Sequence, residues 1–251
     1  LSLISGALDI QDDIIDQSKT KHGRPTVYGK YGKEIALLTA DALLFKGFTL
    51  LNQACLEIPK EKASKIIKTI KDMFYELGDA EALELNLRGR TDITPEEYLH
   101  IIRKKAADVE AHTKIAAILG NAQKEAEEIL SHYGRILGMI IILRDEIIDT
   151  LDLKELSHRL KREHLPLPLI YYTNKAKSQI FNEVMKSKIL LKNNLQEIIN
   201  DMEQQKVLKR IEEFMEELIN KALLRITFTH KKNHLEILLK AFMPVYEIKK
   251  G

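Results

Sequence analysis

A chain of 251 residues can bury one full core, and its 45% hydrophobic and 30% charged content is that of a globular protein, not a disordered one. A net charge of +2, from 39 basic and 37 acidic side chains, gives no electrostatic ground for a nucleic-acid partner. Cys55 is the only cysteine, which excludes a disulfide framework and a cysteine-based zinc site and suits the cytoplasm, and no apolar run approaches the ~20 residues of an integral membrane span.

Leu, Ile, Ala, Glu and Lys dominate, with apolar residues recurring at spacings of three and four, so the chain reads as helical almost throughout. Helices are predicted near 1–18, 33–56, 61–88, 95–120, 122–150, 153–163, 168–174, 178–200, 202–228 and 233–248. Pro25 removes a backbone donor and disfavours helix at Arg24, which separates the first two. Thr94 followed by Pro95 is a helix start, and Leu165-Pro166-Leu167-Pro168 is a break. No segment alternates with period two, so no sheet is predicted. The expectation is an all-α protein with one domain over 1–251. The chain opens on Leu1 inside an apolar helical pattern, so an N-terminal portion is expected to be missing.

The first helix carries Asp12-Asp13-Ile14-Ile15-Asp16, and a later one carries Asp145-Glu146-Ile147-Ile148-Asp149. In each, the outer acids are four apart and share a helix face. Asp9, Asp12, Asp13 and Asp16 form one stripe, which alone would read as a solvated acidic face. The second motif follows Met139-Ile140-Ile141-Ile142-Leu143, apolar on nearly all sides, so its acids should face a cavity or a partner. Two such carboxylate pairs on separate helices suggest a shared polyvalent ligand. Oxygen ligands favour Mg2+ or Mn2+, and magnesium commonly shares its remaining sites with substrate phosphates.

The stretch from Asp12 to Asp41, with Gly23-Arg24-Pro25-Thr26 after the motif and Asp41-Ala42-Leu43-Leu44 on the next helix, resembles the trans-isoprenyl diphosphate synthases (polyprenyl synthetases). So do Pro95-Glu96-Glu97-Tyr98 through Lys105 and Tyr133-Gly134-Arg135 through Asp149, collinearly up to about residue 175. The resemblance implies an orthogonal or antiparallel helical bundle around a central cavity. It implies Mg-dependent condensation of an allylic diphosphate with isopentenyl diphosphate, the homoallylic substrate. In that family the allylic diphosphate lies between the two acidic helices with three magnesium ions, ionises to a carbocation and is attacked by the second double bond. Carried over, Asp12 and Asp16 would ligate two metals and Asp145 the third, while Asp13, Glu146 and Asp149 act through water and hydrogen bonds. Lys21 and Lys105 would contact the allylic diphosphate. Ala7 and Leu8, where short-chain members carry bulky aromatics, would leave the product tunnel open, implying C20 or longer. Family members are usually dimers; Leu43, Leu44, Phe48 and Leu51 suit such a seam or, equally, a core, and the partner can be identical or different.

The sequence also departs from the family pattern. Two consecutive arginines after the first motif become Lys21 and His22, with Arg24 a candidate replacement. The Lys-Thr pair becomes Lys105-Ala106, the Phe-Gln before the second motif becomes Ile141-Ile142, and the upstream Gly-Lys-Arg segment that binds isopentenyl diphosphate does not occur. Asp108, Glu110 and His112 are read as facing solvent or a subunit contact, and Lys154, Arg159, Lys161 and Arg162 as a solvated basic helix. A subunit of a heteromeric synthase is therefore an alternative to an active synthase. A class I terpene cyclase is a further one, although Leu153 stands where its metal triad would need a third ligand.

Overall fold

The computed structural model describes residues 1–21, 23–175, 181, 191–226 and 232–246. By its internal packing the chain divides into two compact units, Leu1–Thr69 and Ile70–Gly251.

In the first unit, α1 (Ser2–Ile15) lies along α3 (Lys33–Leu56). They approach most closely at Gly47, where a Cβ would stand 2.7 Å from Ile4 Cγ1. Ile10, Ala36 and Ala40 form a small core patch, flanked by Ile14, Val27, Tyr28 and Leu43. The link between these helices departs from expectation twice. Thr20–Lys21 (β1) and Arg24–Pro25 (β2) form a two-residue antiparallel ladder around Gly23, whose φ of +73° permits the reversal. A ladder this short carries no alternation, which is why the prediction of no sheet missed it. The five-residue α2 (Val27–Tyr31) was also not predicted; Thr26 caps it by accepting from the Gly29 amide at 2.9 Å, and Gly32 ends it at φ +84°.

Helix α4 (Lys60–Leu85) runs past the division point. In the second unit, Thr94 caps α5 (Pro95–Lys105) by accepting from the Glu97 amide. The single helix expected over 95–120 is two, because the chain bends at Ala106 (ψ −2°) before α6 (Ala107–Leu119). Helix α7 (Lys124–Leu151) comes close to Ala106: a Cβ on Gly138 would lie 2.9 Å from the Ala106 Cβ. Helix α7 is the axis of this unit and packs against α5, α6, α8 (Leu153–Arg162), α9 (Leu167–Lys175) and α11 (Val207–Arg225). Ile136, Leu137, Met139, Ile140, Leu143 and Ile147 are buried along it, as their continuous apolar run requires. Helices α10 (Lys192–Gln204) and α12 (Lys232–Ala241) complete the described elements. Parts 178–180, 182–190, 227–228 and 247–248 of the predicted helices lie outside the described residues. The fold is all-α apart from the small ladder.

Candidate functional site

In the first unit the acids of α1 are not equivalent. Asp13 is buried, Asp12 and Asp16 are half-buried, and Asp9 is exposed. The stripe read from the sequence is therefore split, since the helix turns Asp13 inward with Ile10 and Ala7. Burial pushes the Asp13 carboxyl from 3.8 up to about 6, against the opposing pull of Lys21, with Asp12, Asp9 and Asp16 adding repulsion. Lys21 Nζ stands 3.9 Å from Asp13 Oδ1, so the ladder returns a cation to the acidic helix. Arg24 is exposed on the second strand, and His22 lies outside the described residues. Ala7 is fully buried and Leu8 half-buried, one turn before the motif.

In the second unit Asp145 is partly exposed, and Arg144 Nε and Nη2 both donate to its Oδ1, at 3.0 and 2.7 Å. The Arg144 guanidinium also lies over the Phe242 ring, 5.3 Å from its centroid. Asp149 is pushed from 3.8 to about 6, first by burial, with Arg159 opposing and Glu146, Glu155 and Asp145 adding. Lys105 pairs with Glu84 and lies 3.6 Å from Glu81. The Lys105 neighbourhood holds the Glu84 carboxyl well below the usual carboxylate range in spite of its burial, with His164 contributing.

Glu146 is only 5% exposed, and both its oxygens accept hydrogen bonds from the protein. Oε1 accepts from Arg159 Nη2 at 2.5 Å and from Tyr98 Oη at 3.1 Å, while Oε2 accepts from the Leu167 amide at 2.7 Å. A carboxylate so placed anchors the corner between α7, α8 and α9. Arg159 is likewise not part of a solvated basic helix. It is 7% exposed, beside Glu146, Glu163 (3.2 Å) and Asp149 (3.9 Å). Glu110 also turns inward, accepting from Ser131 at 2.6 Å and from Arg135, which in turn holds Glu76. Asp108 and His112 pair with each other at 3.6 Å on α6. Arg159–Glu163 and Asp108–His112 are four apart, the spacing of one helical turn, whereas the partners of Glu146 and Glu110 are remote in sequence, so periodicity gives no sign of those.

Among the described residues no three His, Cys, Asp or Glu side chains meet as a ready-made metal cage. Each motif instead offers clustered carboxylate oxygens, and Asp13 and Asp149 are raised first by burial, against Lys21 and Arg159, with neighbouring acids adding repulsion. Hard oxygen donors short of counter-charge fit a divalent cation that completes its shell with water or phosphate. The polyprenyl synthetase family model matches residues 2–202. The chain belongs to the polyprenyl synthetase family. Within that family it is 35% identical over 150 residues to a geranylgeranyl diphosphate synthase of Sulfolobus acidocaldarius, covering 59% of this chain and 46% of that one. It is 32% identical over 141 residues to a geranylgeranyl diphosphate synthase of Methanosarcina mazei, covering 56% and 43%. The chain thus spans about half the length of these curated relatives. The crystal structure of a geranylgeranyl pyrophosphate synthetase from Pyrococcus horikoshii superposes with a TM-score of 0.84 at 27% identity, over 98% of this chain and 77% of that one. A decaprenyl diphosphate synthase from Rhodobacter capsulatus, at 20% identity and TM-score 0.80, shares the fold.

Proposed function

We propose that this polyprenyl synthetase is a Mg-dependent chain-elongating prenyltransferase acting as one domain, with a product of geranylgeranyl length or longer. It would join an allylic diphosphate to isopentenyl diphosphate. The allylic C–O bond breaks, a C–C bond forms, and inorganic pyrophosphate and one proton leave. The observation that carries this reading is the pair of acidic motifs, each with a carboxylate raised to about 6, first by burial and further by neighbouring acids, in a chain of this family. Similarity to the two archaeal geranylgeranyl diphosphate synthases supports the product class.

Asp12 and Asp16 on α1 and Asp145 on α7 would hold Mg2+, or Mn2+ in its place. When bound, the metal neutralises charge on the departing diphosphate. Asp13 and Asp149 would receive hydrogen bonds from metal-bound water and lose their unfavourable repulsion. Lys21, Arg24, His22 and Lys105 would contact the diphosphate, and Lys105 must then exchange part of its pairing with Glu84. Ala7, with no side chain beyond Cβ, would leave the tail's path open, and half-buried Leu8 would flank it. We also propose a homodimer through α3, whose Leu38 and Phe45 are 64% and 77% exposed. No described helix is long and apolar enough to cross a membrane, and a cytoplasmic setting is proposed.

Two observations favour a second reading, a subunit that needs a different chain for activity: Glu146 is withdrawn from the motif, and Asp145 is engaged by Arg144. The test is incorporation of labelled isopentenyl diphosphate with each allylic primer, with and without Mg2+. Mg-dependent elongated diphosphate is the expected result. Cyclic hydrocarbon would replace this reading with a terpene cyclase, and activity only with a second chain would establish the subunit.

A further inference from the structure

Seven side chains of the second unit form one connected polar run. Lys105 pairs with Glu84, and Glu84 Oε1 lies 2.5 Å from His164 Nε2. The same ring nitrogen is 3.4 Å from Tyr98 Oη, which donates to Glu146 at 3.1 Å. Arg159 Nη2 donates to Glu146 at 2.5 Å, and its Nη1 stands 3.9 Å from Asp149. The interior members are deeply buried: Tyr98 is 2% exposed, His164 4%, Glu146 5% and Arg159 7%. Orientation is fixed at several points. His164 Nδ1 faces the Leu165 carbonyl at 2.8 Å, and the Leu167 amide holds Glu146 Oε2. The Tyr98 and His164 rings meet tilted by 51°, with 4.7 Å between centroids.

Such a run is costly to bury unless every member is satisfied, and here satisfaction passes along it. Arg159 Nε is the exception: it lies 3.2 Å from a Glu163 oxygen, an ion-pair distance, without hydrogen-bond geometry. The guanidinium is thus oriented by Glu146 on one side and Glu163 on the other, with Asp149 at its remaining edge.

We infer that Arg159, held by Glu146 and standing beside Asp149, and His164, acting on Lys105 through Glu84, are positioning residues that set Asp149 and Lys105 for a shared magnesium–diphosphate ligand. This rests on the proposed phosphate chemistry of Lys105 and Asp149 and adds a role for residues that touch neither metal nor substrate. The longer arm of Glu146 lets it reach Arg159, Tyr98 and the Leu167 amide together. One end of the run then feels a change at the other.

The test measures binding of inorganic pyrophosphate with Mg2+ by calorimetry, beside Tm, for wild type, Arg159→Met, Arg159→Lys, His164→Asn and the Met/Asn double variant. Changes in groups that orient metal ligands weaken binding about tenfold or more, so Arg159→Met and His164→Asn should each raise Kd by that factor. Arg159→Lys should recover part of the loss, and the double variant should lose less than the product of the singles, because both cut one run. The inference is overturned if Tm falls while Kd stays within about twofold, or if the two losses multiply. It is equally overturned if the wild type binds no magnesium–pyrophosphate. Should the variants bind unchanged while wild type still elongates a primer, the prenyltransferase reading stands and only the positioning role fails. If a variant does not fold, Tyr98→Phe, which removes one hydroxyl from the middle of the run, serves by the same criteria.

Discussion

Replacing Asp13 by Asn removes one carboxylate from the inward side of α1 and keeps its size. In the folded chain this carboxyl is raised from 3.8 to about 6, first by burial, with Lys21 opposing and Asp12, Asp9 and Asp16 adding. The folded state therefore binds its proton at a higher pH than the unfolded chain. The difference in bound protons opens near pH 4 and closes above about pH 6, so stability falls as pH rises through that window, and the cost is fully present above it. With 1.36 kcal/mol per unit, a shift of this size corresponds to about 3 kcal/mol. At roughly 2–4 °C per kcal/mol for a chain of this size, Asp13→Asn should raise Tm by about 6–12 °C at pH 8 and leave it nearly unchanged at pH 4. Calorimetric or circular-dichroism melts of both proteins in a chelating buffer measure this directly. Mg2+ with inorganic pyrophosphate should then raise the wild-type Tm more than that of the variant. A variant no more stable than wild type at pH 8, or a gain equal at both pH values, would refute the account of Asp13 as a buried, under-compensated carboxylate.

Gly134→Ala should destabilise by about 1–3 kcal/mol, because its Cβ would stand 2.9 Å from Glu110 Cα and from the Val109 carbonyl oxygen, both backbone atoms. Gly78→Ala, on α4 with nothing within 4 Å, should stabilise by up to about 1 kcal/mol; denaturant melts compare the two. Arg135→Met leaves Glu76 and Glu110 without their shared cation and should cost about 3–5 kcal/mol by the same measurement. Asp12→Asn and Asp145→Asn, each with one proposed metal ligand removed, should lower kcat at least about 100-fold in the labelled isopentenyl diphosphate assay, with Tm little changed. Ala7→Tyr should shorten the product seen by chromatography, and unchanged length would remove α1 from the tunnel wall.

What the amino-acid order reveals here depends on how far each interaction reaches. Helices α3, α7 and α8 lie almost where periodicity puts them, since side chains three and four apart meet on one helix whatever surrounds it. The Thr94 cap and the breaks at Pro25 and Pro166 are equally local. The two acidic motifs are legible for the same reason, and with them the resemblance to the family and the oxygen-donor chemistry suited to a hard cation. The bend at Ala106 is not, because no glycine or proline marks it and its close neighbour Gly138 lies on another helix. Nor could spacing show that Asp13 is buried while Asp9 is exposed.

The second motif separates the two kinds of information most clearly. Local spacing puts Asp145 and Asp149 on one face of a helix with Glu146 turned from it, and supplies carboxylates suited to a hard cation. Only the tertiary structure decides that Glu146 turns away to Arg159, Tyr98 and the Leu167 amide, and that Lys105 is paired with Glu84. Those partners lie 13, 48 and 21 positions along the chain for Glu146 and 21 for Lys105. A helical period constrains neighbours within about two turns and says nothing beyond them. Burial and packing of distant helices choose which carboxylate stays open to a ligand and which becomes part of the scaffold.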